Sequence, residues 1–442
     1  MSIAVFLKNN LKNIPPLIGK QINKIPYNFR PGIGKIYTQR WEEIKHIEEI
    51  NKQDFVFERI KKLVEYSYRN IRFYKEYYDQ HNFEPSQLRS FDDIEKIPII
   101  TKAILNEYAL EERSYPVHGR YIVNTGGSSG TPFGLYIEPS SMGHEWAHMH
   151  TIWNKLGYKP SDLKIVFGGR SDVNNLVEYD VVRNHFAIDI YSDYEKVGSK
   201  LKKILKKHQI KFLHGYPSSI YDFAVYCENN DNELVNLLRR NLIGAFLGSE
   251  YPHKLYREKI ESIFEIKTIS WYGHTERAVL AYEKYNEFEY YPFLSYGFTE
   301  VKMNQENDFE LISTSYYNFA SPLIRYNTED LVEDPKFENG ILDSFKILKG
   351  RNGEFVQDLD GKSINLTALI FGRHHELFNY SKFIQVRQLG IGFIEINYVS
   401  DQIDESHAAK LFDKENLNFK LSFKRNEEAL RSSSGKVSLL IK

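Results

Sequence analysis

From Tyr121 to Tyr136 the chain reads Tyr-Ile-Val-Asn-Thr-Gly-Gly-Ser-Ser-Gly-Thr-Pro-Phe-Gly-Leu-Tyr, a glycine and hydroxyl run between two stretches of β-strand character. Gly126, Gly127 and Gly130 can take backbone angles closed to other residues, so consecutive N–H groups can turn toward one anion. Thr125, Ser128, Ser129 and Thr131 add hydroxyl donors. Together they form the donor set of a phosphate cradle.

Other readings compete for this loop. A Walker A loop needs a lysine after its last glycine at the opening of a helix. Here Thr131 and Pro132 follow Gly130 and lead into the alternating Phe133, Leu135 and Ile137, which excludes it. Gly126-x-Ser128-x-Gly130 satisfies the serine-hydrolase nucleophile elbow, with Ser128 as nucleophile, but an elbow requires a strand before it and a helix after it. A plain surface turn is the third reading. A second constellation, His144-Glu145-Trp146-Ala147-His148, lies in a stretch from Pro139 to Leu156 that reads as a helix capped at Ser140 or Ser141. Histidines at i and i+4 share one helix face and could ligate Zn²⁺ with the glutamate as general base. The longer metzincin pattern is absent, because Thr151 and Asn154 stand where glycine and histidine belong.

The elements that must position these residues fall in a chain of 442 residues, 42% hydrophobic and 14% aromatic, long enough for more than one domain. With 58 basic and 59 acidic residues, no global field favours nucleic acid or an anionic membrane. The single cysteine, Cys227, rules out an intramolecular disulfide framework and a cysteine-cluster metal site, and fits a reducing, cytoplasmic setting. The apolar run Ile3 to Leu7 is too short to span a bilayer. Met1 to Leu17 has the make-up of a short basic amphipathic helix that could lie on a membrane surface, but Pro15-Pro16 ends it early, and packing on the protein's own body is expected.

Residues 41 to 80 carry Phe57, Ile60, Leu63, Val64 and Tyr68 at helical spacing, with the aromatics expected in the core. Phe91 to Lys102 passes through Pro98 into an extended segment, and Thr101 is a candidate cap. Leu163 to Gly169, Phe212 to Ser219, Leu242 to Glu250 and Ile266 to Glu276 each read as an apolar strand ending at a glycine, with polar residues just beyond. Helices between them, including a basic one over Ser199 to Lys211, make βαβ units. Ligands in such folds bind at the carboxyl ends of the strands, where His214, Ser249, Glu250, Tyr272, Gly273, Thr275 and Glu276 would gather. Strand patterns resume at Phe309 to Thr314, and Ile347 to Gly353 reads as a strand running into a turn, a plausible boundary. Beyond it, strands at Phe383 to Val386, Phe393 to Tyr398 and Phe419 to Phe423 with a helix near Glu405 to Phe412 make a small α+β unit.

The order of these segments resembles the adenylate-forming ligases, and within them the phenylacetate–CoA ligase and CapK-like branch. Thr125 to Pro132 is similar to that family's phosphate loop, Gly248-Ser249-Glu250 to its adenine-side segment, and Tyr272-Gly-His-Thr-Glu276 to its tyrosine-glycine-x-threonine-glutamate motif. Pro322 to Asp330 is similar to its ribose-binding segment, Gly350-Arg351 to its hinge, and Ser434-Gly435-Lys436 to its terminal lysine loop. The resemblance implies a large multi-layer α/β domain over residues 1–349 that binds ATP and the acid. It also implies a small mobile α+β lid domain over 350–442. The implied reaction is attack of a carboxylate on the α-phosphorus of ATP, followed by transfer of the acyl group to CoA or to another thiol, amine or hydroxyl acceptor. A role in surface polysaccharide modification is a further implication.

By position, Glu276 would hold Mg²⁺ beside a catalytic Thr275. Thr125 to Thr131, Gly248 to Glu250, Tyr272 and Gly273 would hold the nucleotide, Asp330 the ribose, Arg351 ribose or phosphate, and Lys436 the substrate carboxylate and α-phosphate. Two features depart from the family pattern: Asn352-Gly353 follow Arg351 before Glu354, and little chain separates the helix near Glu405 from Lys436. A zinc hydrolase built on His144-Glu145-x-x-His148 and a catalytically degenerate nucleotide-binding module are the alternatives. The acid is left open, because its pocket depends on packing among residues such as Trp271, Phe246 and Tyr216.

Overall fold

A computed structural model describes residues 14–30, 33–125, 133–168, 173, 175–190, 192–351, 355–361, 363–370, 375–381, 383–414, 417–431 and 438–441. The chain divides into two compact units, a larger one that runs to Ile347 and a smaller one from Leu348 onward with which Glu329–Leu331 also groups. Among the described residues no helix is long and apolar enough to cross a membrane.

The larger unit opens with helices α1 (Gly34–His46), α2 (Lys52–Asn70) and α3 (Arg72–Gln80). Asn51 caps α2 by accepting from the Asp54 N–H at 3.2 Å, and Val56, Ile60, Leu63 and Val64 then fall on its buried face. Phe57 and Tyr68, expected in the core, pack against it only partly buried. Past Pro98 the chain extends and pairs with the start of a later strand, the Asn327 N–H donating to the Ile100 carbonyl at 2.8 Å. Thr101 caps the next turn as expected, its hydroxyl accepting from Ile104 N–H at 3.2 Å.

Strands β1 (Tyr121–Thr125) and β2 (Phe133–Ile137) form an antiparallel hairpin with Thr125 opposite Phe133. The glycine loop, Gly126 to Pro132, lies outside the described residues. Its flanks decide one question, because a strand and not a helix follows it, so the nucleophile-elbow reading of Ser128 is corrected. Helix α4 (Ser141–Asn154) comes next; Ser140 makes no side-chain cap and instead hydrogen-bonds Glu138.

The centre of the larger unit is an eight-stranded sheet in the order β10-β9-β8-β7-β6-β3-β5-β4. These strands are β3 (Leu163–Phe167), β4 (Val177–Asp180), β5 (His185–Ile188), β6 (Ile210–Gly215), β7 (Gly244–Leu247), β8 (Lys267–Gly273), β9 (Leu280–Tyr282) and β10 (Tyr291–Pro292). Strands β5, β3, β6, β7 and β8 are mutually parallel, joined where the βαβ reading requires by α5 (Tyr194–Leu205), α6 (Pro217–Asn230), α7 (Asn232–Arg239) and α8 (Lys254–Phe264). The basic helix starts five residues earlier than its sequence suggests, because the Asp193 carboxylate caps it on Glu195 N–H at 2.8 Å. A four-stranded sheet follows, ordered β11 (Gly297–Met303), β12 (Phe309–Ser315), β13 (Tyr326–Glu338) and β14 (Ile341–Arg351).

The smaller unit holds the hairpin of β15 (Phe355–Gln357) and β16 (Ser363–Asn365), then β17 (Phe383–Gly390), β18 (Phe393–Val399), β19 (Lys420–Asn426) and β20 (Leu440–Ile441) in the sheet order β19-β18-β17-β20. Helix α9 (Glu405–Leu411) carries the crossover between the parallel β18 and β19, capped by Asp404 on His407 N–H at 2.8 Å. Ile394, Ile396, Tyr398 and Phe412 belong to its separate core.

Candidate active site at the carboxyl edge of the central sheet

The parallel strands end side by side. Phe167 of β3 lies opposite Gly215 of β6, Gly215 opposite Leu247 of β7, and Leu247 opposite Ser270 of β8, so β8 alone runs on for three residues. Gly215 has φ +148°, and a Cβ there would meet the Phe167 carbonyl oxygen at 2.1 Å; only glycine lets these two strands close at their ends. Beyond β7, Gly248 lies against the Trp271 indole and Ser249 is held at φ +67°, a conformation uncommon for a residue with a side chain. Glu250 then turns back, its carboxylate accepting from the Ser218 N–H at 3.2 Å in the first turn of α6, where the helix dipole favours an anion.

The extension of β8 carries Tyr272 and Gly273 into the turn His274-Thr-Glu-Arg277, which leads the chain into β9. Gly273 pairs with Leu280, the Arg277 N–H donates to the His274 carbonyl at 3.0 Å, and Arg277 takes φ +56°. Tyr272 sets its ring at 87° to Phe345, 5.7 Å away. Thr275 is exposed. The Glu276 side chain is 11% exposed and that of His274 4%, with Nδ1 of the histidine 3.2 Å from Oε2 of the glutamate. His274 Nε2 is buried and has no hydrogen-bond partner among the described residues. A carboxylate held in this way is a hard oxygen donor of the kind Mg²⁺ takes, and Mg²⁺ commonly uses only one or two protein carboxylates.

Two arginines missed from the sequence support this turn. Arg277 is largely buried, which works against its charge, yet Glu145 at 4.0 Å together with Tyr296 and Tyr121 more than offsets that and raises its pKa. Arg257 of α8, almost fully buried, pairs with Glu283 at 2.6 Å, and the same carboxylate oxygen accepts from Ser270 N–H of β8 at 2.8 Å. The signal for Arg257 was available, since it shares the apolar phase of its helix with Ile260 and Phe264.

The zinc reading of α4 is corrected by its contacts. His148 uses both ring nitrogens, Nδ1 donating to the His144 carbonyl at 2.8 Å and Nε2 accepting from the Ser295 hydroxyl at 2.8 Å, so its lone pair is taken. Burial pushes its pKa down to about 3. His144 stacks on Tyr296 with the tilted Tyr317 ring 4.2 Å away, and burial, then His148, hold it far below the ordinary histidine range. Glu145 accepts the Tyr296 hydroxyl and faces Arg277. Among the described residues no group of three or more histidine, cysteine, aspartate or glutamate side chains could hold a metal ion.

Other expected site residues divide. His214 is not at an open strand end; its ring packs between Trp153 and Trp271, 5.0 and 5.7 Å away, and burial lowers its pKa to about 3. Phe246 stacks on Trp153 in the core, leaving Trp271 and Tyr216 as the half-buried members of the expected acid pocket. Asp330 is buried on β13, within the stretch that groups with the smaller unit, and Arg351 ends β14. The side chains of Thr125 and Arg351, and Gly126, Gly127, Ser128, Ser129, Gly130, Thr131 and Lys436 entirely, lie outside the described residues. Within Pro322 to Asp330, the segment expected to bind ribose, Arg325 was also missed: it takes φ +46°, forms a two-pronged ion pair with Glu300 at 3.0 and 3.1 Å, and donates to the Ile97 carbonyl at 2.8 Å.

No family model matches this chain. Among curated proteins it is similar to protein CapK of Staphylococcus aureus, with 26% identity over 376 residues that cover 80% of this chain and 81% of that protein. Among solved structures it is similar to 2-hydroxyisobutyryl-CoA ligase in the postadenylation state in complex with R3-HIB-AMP, with a TM-score of 0.64 and 16% identity across 87% of this chain and 88% of that one. The same ligase in complex with 2-HIB-AMP gives a TM-score of 0.61 at 16% identity, with the same coverage. The resemblance read in the sequence is thus found again: the fold is the mixed α/β fold of the adenylate-forming ligases.

Proposed function

We propose that this protein activates a carboxylic acid by adenylation, forming an acyl-adenylate and pyrophosphate from ATP, and then passes the acyl group to an acceptor. The observation that carries this reading is the Tyr272-to-Glu276 turn at the carboxyl edge of the sheet, on a fold shared with a ligase captured with an acyl-AMP. The acid is already ionised near neutral pH, so no general base is needed. The difficulty is bringing two anions together and stabilising charge on the phosphoryl oxygens.

Glu276, fixed by His274, would hold Mg²⁺, which neutralises phosphate charge when bound. The exposed Thr275 hydroxyl lies beside it. Gly248 to Glu250 and Tyr272 would take the adenine side of the nucleotide, Asp330 the ribose hydroxyls, Arg351 ribose or phosphate, and the Thr125 to Thr131 loop the phosphates. Residues 350–442 would act as a mobile lid that delivers Lys436 to the carboxylate and α-phosphate. A thiol such as that of CoA is the acceptor favoured by the ligase likeness, with an amine or hydroxyl as the other classes. A role in surface polysaccharide modification is carried over from the family resemblance of the sequence motifs alone, and the single buried cysteine favours a cytoplasmic setting.

The test is ATP–pyrophosphate exchange with Mg²⁺ across aryl, fatty, amino and sugar acids. Exchange with one acid class is expected, and Lys436→Ala should abolish it while leaving the melting temperature unchanged. Silence across the panel together with no ATP binding by calorimetry would overturn the reading.

A further inference from the structure

The first 41 residues contain seven lysines and arginines and no acidic residue before Glu42, in a chain whose net charge is −1. Their described part, helix Pro16–Ile22 and the chain on to Arg30, is fastened to the larger unit through its small and polar residues. Gly19 lies so close to the Tyr179 ring that a Cβ would come within 2.3 Å of its hydroxyl. Asn23 Nδ2 donates to the Val181 carbonyl at 3.1 Å and to the Gly19 carbonyl at 2.9 Å, and Arg30 donates to the Asn23 carbonyl at 3.1 Å.

The segment's large apolar groups stay exposed. Leu17 is 71% exposed and Phe29 73%, with Ile18, Ile22 and Ile25 exposed between them. This inverts the usual surface helix, which buries its apolar stripe and shows its polar one. The expectation that this end of the chain packs on the protein's own body therefore fails for Leu17. Lys20 and Lys24 are exposed among these side chains. Val182, beside the Val181 that anchors the segment, is exposed as well. An exposed apolar patch of this kind marks an interaction surface.

We propose that this face docks on an anionic phospholipid bilayer, with Leu17, Ile22 and Phe29 entering the boundary between headgroups and acyl chains and Lys20 and Lys24 meeting the headgroup charges. Charge complementarity selects this occupant. A second copy of the chain would set the same lysines against each other across a twofold interface. Nucleic acid would gain from the lysines but not from leucine and isoleucine. An anionic bilayer uses both sets, which is the composition of an interfacial segment.

The full chain should sediment with vesicles of phosphatidylcholine and phosphatidylserine in a 7:3 ratio and much less with phosphatidylcholine alone, and 0.5 M salt should release it. Loss of each lysine should weaken binding about fivefold, so Lys20→Gln with Lys24→Gln should weaken it about 25-fold. Leu17→Ser with Phe29→Ser should also weaken it. All four sites are exposed, so melting temperature and ATP–pyrophosphate exchange should stay unchanged in both variants. Equal sedimentation with both vesicle types, or with neither, would overturn the proposal. So would a wild-type dimer in light scattering that Leu17→Ser with Phe29→Ser makes monomeric, because the face would then belong to a second copy.

Discussion

Two stretches that join histidine to glutamate, His144-Glu145-x-x-His148 and His274-x-Glu276, are treated by the fold in opposite ways. In α4 the histidines are neutral, aromatic-packed and, at His148, satisfied at both nitrogens, while Glu145 is committed to Tyr296 and Arg277. In the turn after β8 the histidine orients a carboxylate at the carboxyl edge of a parallel sheet, next to an exposed threonine. The residue types are the same. What separates a core contact from a candidate site is whether the polar atoms are already used and where the strand ends place them.

The contrast breaks most directly by altering one residue of each stretch. Glu276→Gln should lower adenylate formation by about 10² to 10³, the usual cost of losing one charge-stabilising group, without a change in melting temperature. His148→Gln should leave exchange within a few-fold of wild type. Next in size, His148→Ala should cost about 2–4 kcal/mol in urea unfolding, because it opens a cavity and leaves Ser295 unpaired. Equal stability would show that α4 is not the closed core described here.

The acid limb of stability sharpens the comparison further. Burial depresses the folded pKa of both His144 and His148, that of His148 to about 3. Below pH ~6.5 the unfolded chain takes up protons that the folded chain refuses, so stability is full above ~6.5 and falls as pH drops toward about 3. Melting temperature should therefore decline from pH 7 to pH 4, and less steeply in His148→Gln. The smallest effect belongs to His274, a positioning residue: His274→Phe should raise the Mg²⁺ concentration needed for half-maximal exchange, and His274→Asn, which can still donate, should restore most of it. A zinc-selective chelator should leave exchange unchanged.

Much of the scaffold was legible because glycines close the strand ends and apolar runs separate them. Gly215 and Gly248 each stand where the backbone needs their freedom or their lack of a side chain. Strand β13 was not legible: Glu329, Asp330, Glu333, Asp334 and Pro335 are poor strand formers, and pairing within the sheet overrides their local preference, whereas β14 was legible only at its end, from Ile347. The hairpin of β4 and β5 was hidden for the same reason by Asp180, Arg183 and Asn184. For the site, the order of motifs carried the reading, and the Tyr272-to-Glu276 turn formed as its spacing suggested. Arg277 and Glu145 could not be paired from sequence, since 132 positions separate them and only the return of β8 into β9 brings them together.

The central claim is tested most directly by ATP–pyrophosphate exchange run side by side on wild type, Glu276→Gln and His148→Gln with an acid the wild type accepts. The account predicts exchange in wild type and His148→Gln and near-background exchange in a folded Glu276→Gln. Undiminished exchange in Glu276→Gln, or its loss in a folded His148→Gln, would contradict the account.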